Sequence, residues 1–414
     1  MTSFQKFVLA SGLTNLADGV AVVVWAWVAS LISRDPLMIA LVPVALRMPW
    51  FLCAIPAGII ADRVDRRRLI LAMDAARAGA FALAAISLWL ALPLSDAPTR
   101  GVSSVPLFLA VLIAATIVGV AEVFRDNAAQ TMLPALVPHD RLEQANGRLW
   151  SVELVGNALI GPALGAFFIA SFIPLPFALN AIAYGIAIVL VAQIAGQFKP
   201  PVQSARNWRR ELAEGYAFLR DAALIRLLAL LTGGWNLLFQ MKSIALILIV
   251  QENMGLGATA FGLILAAGAV GGIIGGQVSA AIIKTVGRGR TVQLALAATP
   301  ITFLWIAFSN GPIQLAAVIA VFEFTGLVWN TVSVSYRQRQ IPDHLLGRVN
   351  SLYRLLAWGM MPVGLVLSGL IVRIGETFID RAYALILPIY VAAFGGLILT
   401  ILGWRALGRG FSGT

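Results

Sequence analysis

Apolar runs of membrane-spanning length follow one another along almost the whole of this chain, and no other feature restricts the fold so strongly. Crossing about 30 Å of hydrocarbon takes about 20 apolar residues as a helix. In that medium every backbone N–H and C=O must be bonded within the protein, which leaves α-helices or a closed barrel. Runs of this length without alternation are helical. They fall at 6–32, 37–61, 69–93, 105–133, 143–170, 174–196, 223–250, 259–284, 291–309, 313–336, 345–373 and 382–404, twelve in all. Only 12% of the residues are charged, about half the share of a soluble globule. The expected fold class is an all-α membrane protein of twelve transmembrane helices in two pseudo-symmetric six-helix halves.

The formal charge of +11 could suggest a nucleic-acid partner, but the basic residues sit in short turns between apolar runs. With both termini cytoplasmic, all of the 30 Lys and Arg except Arg34, Arg47, Arg100, Lys242, Arg373 and Arg381 lie on or near the inner side. Membrane orientation explains that distribution, so no nucleic acid is expected. Cys53 is the single cysteine and excludes an intrachain disulfide. The first apolar run is too long for a cleaved signal peptide and is expected to stay in the mature protein. His139 and His344 stand in turns without ligand clusters, so no metal is expected. No Gly-x-x-x-x-Gly-Lys-Ser/Thr loop occurs, so the chain is not its own ATPase; no other cofactor is implied either.

One interruption breaks the rhythm, at 196–222. After Pro200-Pro201, Trp208, Leu212, Tyr216 and Leu219 recur at helical spacing with Arg209, Arg210, Glu211 and Glu214 between them. This reads as an amphipathic surface helix, with a solvated linker as the alternative. The expected organisation is a half at 1–196, a cytoplasmic linker at 197–222 and a half at 223–414. The halves echo one another at an offset of 204 residues: Pro138 to Asn146 lines up with Pro342 to Asn350, and Gly165 with Gly369. Related halves around a midplane site are the architecture of alternating-access carriers.

The turn Gly58-Ile-Ile-Ala-Asp62-Arg63-Val-Asp65-Arg66-Arg67-Arg68 is tight and strongly basic. Gly58 suits a close helix approach, and Asp62 stands where a helix ends among cations. The stretch resembles the loop between helices 2 and 3 of the major facilitator superfamily. Gly58, Asp62, Arg63, Arg66 and Arg67 match that pattern, while Asp65 replaces a glycine. In the fifth run Gly161-Pro162-Ala163-Leu164-Gly165-Ala166 resembles the antiporter motif of exporters in the same superfamily, with Ala166 for the last Gly and Asn157 for an earlier one. A plain proline kink is the other reading of that run. Gln340 to Ser351, Pro138 to Asn146 and Arg210 to Leu219 are similar to the macrolide-efflux and siderophore-export branch. The resemblance implies a bacterial inner-membrane exporter of amphipathic small molecules, driven by the proton gradient; a monomer surrounded by lipid is expected.

An ionisable group inside a span is costly unless it faces a cavity or a partner, and each is a candidate site. Such residues are Asp18 in the first run, Arg47 in the second, Glu122 and Asp126 in the fourth, Glu153 in the fifth, Lys242 in the seventh and Glu323 in the tenth. In the superfamily, spans 1, 4, 7 and 10 line the cavity, which favours Asp18, Glu122, Asp126 and Glu323. Buried cations such as Arg47 and Lys242 usually pair with a carboxylate. Asp18 and Glu323 have no basic residue within one turn in sequence, which favours them as proton carriers; static pairing is the alternative for Glu122, Asp126 and Glu153. Asp62 is expected to latch one conformation by pairing with arginines and a helix N-terminus. Trp25, Trp27, Phe239, Trp329, Tyr336 and Tyr353 are either stacking surfaces for a ligand or packing residues. A lipid carrier, an importer of the same fold and a non-transporting receptor stay open as alternatives; an enzyme does not, because no Asp, His or Cys cluster is present.

Overall fold

A computed structural model describes residues 1–61, 63–138, 141–199 and 208–411. Among them all regular structure is helical. In chain order the helices are α1 Ser3–Ile32, α2 Pro36–Leu52, α3 Ala54–Ala61, α4 Arg66–Leu90, α5 Val105–Met132, α6 Leu142–Glu153, α7 Gly161–Ser171, α8 Leu175–Ala192 and α9 Trp208–Asp221. They continue as α10 Ala223–Leu248, α11 Ala258–Val286, α12 Arg288–Ala307, α13 Pro312–Gln340, α14 Asp343–Trp358, α15 Met360–Gly375, α16 Arg381–Ala384 and α17 Leu387–Phe411. Eleven helical stretches among the described residues are long and apolar enough to cross a membrane. The twelfth crossing is α2 followed by α3. Pro56 has no N–H to give to the Leu52 carbonyl, so the helix breaks at Cys53.

Polar caps set several helix starts. Thr2 and Gln5 form a reciprocal capping box on α1, and Asp35 accepts from the Leu37 N–H at 3.1 Å at the head of α2. Asp65 accepts from the Arg68 N–H at 2.9 Å, so the residue that replaces glycine in the basic turn serves as the N-cap of α4. Side chains such as Ile313, Leu90 and Leu402 stand exposed on the outside of these helices. That surface suits hydrocarbon and not water.

The chain divides into two compact units, Met1–Ser204 with Leu256–Ala266, and Ala205–Gly255 with Ala267–Thr414. In the first unit α4 packs on α5 and α8, α1 on α7 and α8, and α2 on α5. Its interior holds Trp25, edge-on to Phe177 at 4.9 Å, with Phe81 stacked on Tyr184 at 5.6 Å. In the second unit α10 packs on α14, α15 and α17, α12 on α13 and α17, and α9 on α14. The contact of α9 is specific: Glu214 pairs with Arg348, Gly215 crosses that same residue, and Leu219 is buried.

Each unit sets a proline-broken helix against its leading helix. In the first unit a π-helical turn, Leu154–Ile160, separates α6 from α7, and the Gly161 N–H bonds five residues back to the Gly156 carbonyl. Pro162 follows and cannot bond to residue 158, so the wider turn absorbs the break. This segment lies directly on α1: a Cβ on Gly19 would come 2.5 Å from the Gly156 oxygen, and one on Gly165 would come 2.5 Å from the Val20 oxygen. In the second unit Gly359 separates α14 from α15 ahead of Pro362, and a Cβ on Gly364 would come 2.1 Å from the Leu237 oxygen on α10.

These contacts are backbone against backbone, where overpacking costs typically about 1–3 kcal/mol. Gly19→Ala and Gly364→Ala should therefore each lower the thermal midpoint of detergent-purified protein by several degrees. Gly185→Ala, where no heavy atom of the described residues lies within 4 Å of the added carbon, should leave it unchanged.

Candidate functional site

Ser11, Thr14 and Asp18 recur on one face of α1 at helical spacing and turn a polar stripe into the first unit. Asp18 Oδ1 is paired with Arg77 of α4 and accepts the Tyr184 hydroxyl of α8 at 2.6 Å. The Arg77 guanidinium also lies over the Tyr184 ring, 4.4 Å from its centroid. One turn along, Arg125 of α5 donates to Thr14 Oγ1 at 3.0 Å and places Nε 3.4 Å from Asp74 Oδ1 of α4. Its Nη1 is 3.6 Å from Asp126 Oδ1. Asn180 of α8 donates to the Ala17 carbonyl at 2.8 Å and closes the α1–α8 seam beside Asp18.

Asp74 and Arg77 have fully buried side chains, whereas 19% of Asp18 and 35% of Asp126 is exposed. The network therefore has a sealed interior of one carboxylate and two guanidiniums, with carboxylates on its accessible edge. Neither oxygen of Asp74 makes a hydrogen bond to protein, and neither do Nε and Nη1 of Arg77. Spare donors and acceptors in a low-dielectric interior give the network a second way to pair.

Of the other residues expected from sequence, Glu122 is half-buried on α5, one turn before Asp126. Arg47 is exposed on α2, next to Leu46, whose carbonyl would meet a Cβ on Gly119 at 2.6 Å, so α2 and α5 run in close contact there. Glu153 is exposed at the end of α6. Gly161 and Gly165 form the seam with α1, and Pro162 opens α7.

The basic turn differs in part from its expected role. Arg66 Nη1 donates to the Thr131 carbonyl at the end of α5 at 2.7 Å, and Arg67 Nη2 donates to the Ala192 carbonyl at the end of α8 at 2.5 Å. Both guanidiniums thus satisfy the free carbonyls of helix C-termini, where the helix dipole also favours a cation. Arg63 is exposed. Asp62 lies outside the described residues. Gly58 does not make the close approach expected of it, since no described atom comes within 4 Å of a Cβ built there; in this part of the bundle Gly119 makes it instead.

The second unit holds a smaller site. Lys242 of α10 lies 3.8 Å from Glu323 of α13, with 4% and 26% of the side chains exposed. The Lys242 ammonium also sits 4.3 Å from the Phe239 ring centroid and 4.2 Å from that of Phe322. Glu323 has room because α11 presents glycine to it: a Cβ on Gly268 would be 3.2 Å from Glu323 Cγ.

The absence of a basic residue within one turn of Asp18 or Glu323 did not leave either acid unpaired, because Arg77 and Lys242 arrive from other helices. Sequence reasoning missed Asp74, Arg77 and Tyr184. The first two were within reach of the rule applied elsewhere, being ionisable residues three apart inside the apolar run 69–93, a span not among those expected to line the cavity. Tyr184 carried no such signal. Trp25 and Trp27 prove to be buried packing residues, and Phe239 a partner of Lys242.

Residues 1–400 match the family model described as transmembrane secretion effector. The chain is 25% identical over 377 residues to the multidrug efflux pump Tap of Mycobacterium tuberculosis (strain ATCC 25618 / H37Rv), covering 87% of this chain and 84% of that one. It is 26% identical over 352 residues to the enterobactin exporter EntS of Citrobacter koseri, covering 84% and 77%. Among solved structures, a bacterial homologue of the iron transporter ferroportin in an inward-facing state superposes with a TM-score of 0.73 at 16% identity over 98% of both chains. The nucleoside transporter NupG superposes with a TM-score of 0.69 at 14% identity over 98% of this chain and 99% of its own. At those identities the structural likeness shows the fold, which is that of the major facilitator transporters. With a family model matched over nearly its full length, this multi-pass membrane protein belongs to the transmembrane secretion effector family of the major facilitator superfamily.

Proposed function

We propose that the protein exports amphipathic small molecules across a bacterial inner membrane by exchange for protons, with its two halves giving alternating access to a midplane site. Residues 1–196 and 223–414 are the moving halves in this reading, 197–222 is the cytoplasmic link, both termini are cytoplasmic, and the working unit is a monomer. The relatives named as a multidrug efflux pump and an enterobactin exporter support export and a small-molecule cargo.

The observation that carries the reading is the charge balance of the first unit. Among the described residues, Asp18, Asp74, Glu122 and Asp126 cluster around two buried guanidiniums, Arg77 and Arg125, with Arg47 exposed nearby on α2. Carboxylates in excess of cations inside a membrane protein are stabilised by a proton or a cationic ligand. Asp18 is the exchange point, because it is partly exposed and bridges α1, α4 and α8. When Asp18 takes up a proton its hold on Arg77 weakens, and Arg77 turns its unused donors toward Asp74, three residues back on α4. Proton loading thereby becomes a change in helix contacts.

The decisive experiment places purified protein in liposomes under an imposed pH gradient and follows internal pH while macrolides, dyes, siderophores and lysolipids are added singly. One ligand should elicit a proton flux, and Asp18→Asn should reduce gradient-driven efflux at least tenfold in protein that remains folded, with a thermal midpoint lowered by the lost pairing with Arg77. Glu323→Gln is the second variant to measure; full transport in both variants would overturn proton exchange at these acids. No flux with any ligand, from folded protein, would move the reading to a facilitator, a lipid carrier or a receptor.

The basic turn is the conformational latch of this mechanism, with Asp62 pairing in one state and Arg66 and Arg67 fastening the turn to α5 and α8. Asp62→Asn and Arg66→Gln should each change the labelling rates of single cysteines placed at the two mouths of the pathway, in opposite directions at the two mouths. Unchanged labelling at both would remove the latch.

A further inference from the structure

The surroundings of Lys242 are those of a bound organic cation. Its ammonium lies 4.3 Å and 4.2 Å from the centroids of Phe239 and Phe322, and 3.8 Å from Glu323 Oε1. Trp235 stacks on Phe239 at 5.2 Å and on Phe322 at 5.4 Å, and Phe303 backs Phe322 at 5.2 Å. Aromatic faces carry negative charge density and, with a carboxylate, form the surroundings in which proteins hold ammonium groups.

Exposure divides this group in a telling way. The Lys242 side chain is 4% exposed and Glu323 is 26% exposed, while Trp235 and Phe239 are half-buried. Glu323, Trp235 and Phe239 are thus the accessible members of the group, with Phe322 buried alongside Lys242, and the accessible members favour a cation. For an anion the exposures are wrong, since Glu323 is more accessible than the Lys242 ammonium it pairs with. Lysine is also suited to withdraw, because its charge rides on a flexible four-carbon stem.

We infer that Phe239, Phe322 and Glu323 form a receptor for a monovalent organic cation, occupied in this conformation by the chain's own Lys242 ammonium, which an incoming cation displaces. That the displacing ion is cargo rests on the export reading above; the binding event does not. Lys242 then acts as a built-in competitor. It keeps the aromatic cage from collapsing when empty, and it sets a threshold that weakly bound cations do not pass.

The test is equilibrium binding to the full-length purified protein without any gradient, using tetraphenylphosphonium and tetraphenylborate, which share shape and differ in the sign of their charge. The protein should bind the phosphonium saturably, and Lys242→Met should bind it about tenfold more tightly. Phe322→Leu and Glu323→Gln should each bind it about tenfold more weakly. A second readout uses the unmutated chain: saturating phosphonium should raise acetylation of Lys242 by an amine-reactive ester severalfold, measured by peptide mass spectrometry. Weaker or unchanged phosphonium binding in Lys242→Met, tetraphenylborate binding that is lost in that variant, or unchanged Lys242 acetylation would each overturn the inference. Because no transport is measured, failure here leaves proton-coupled export standing, and failure of that export leaves this result intact.

Discussion

The pairing of Asp18 with Arg77 and Tyr184 is the contact on which the first unit depends. Apolar side chains give helices little reason to prefer one neighbour over another in lipid, where hydrocarbon surrounds them on every side. A carboxylate in that medium has a strict requirement, and here it is met by one donor from α4 and one from α8. Three helices that could otherwise slide or rotate are fixed in register by a single oxygen atom. Breaking a buried pair by removing one partner typically costs about 3–5 kcal/mol, well above a typical neutral hydrogen bond.

Around that node, close backbone contact supplies rigidity. Gly19 meets the π-helical turn ahead of Pro162, and Gly165 meets Val20. The second unit repeats the device with different residues, Gly364 on Leu237 beyond the break at Gly359. In both, a glycine one turn or less beyond the proline lies against the backbone of the leading helix. The polar clusters differ more than the frames do. The cluster of the first unit sets several carboxylates around two buried guanidiniums, and that of the second pairs Lys242 with Glu323 beside aromatic rings.

Much of the frame could be read directly from residues. Apolar run length located the crossings. Depth within a span could also be read, which is why Asp18, Lys242 and Glu323 stood out. What a linear pattern does not carry is the rotation of each helix against neighbours far away in sequence. The partner of Asp18 is 59 positions distant, so a search confined to one turn could not find it. The breaks at Cys53 and Gly359 were hidden for a different reason. Proline inside a membrane helix can produce a smooth kink or a full interruption, and packing decides between them. Gly58 shows the converse, a residue type suited to close approach whose Cβ position has no described atom within 4 Å.

Arg66 and Arg67 also say something about the order in which the first unit can assemble. Arg66 bonds to the end of α5 and Arg67 to the end of α8, elements that leave the ribosome only after the turn itself has been made. Until then both guanidiniums are held by water and lipid headgroups, where they can serve as the charges that set the orientation of α2 and α4. Each then exchanges its hydration for a carbonyl as the matching helix arrives, first α5 and later α8. The contact of Arg66 can therefore form before that of Arg67, because α5 is synthesised before α8.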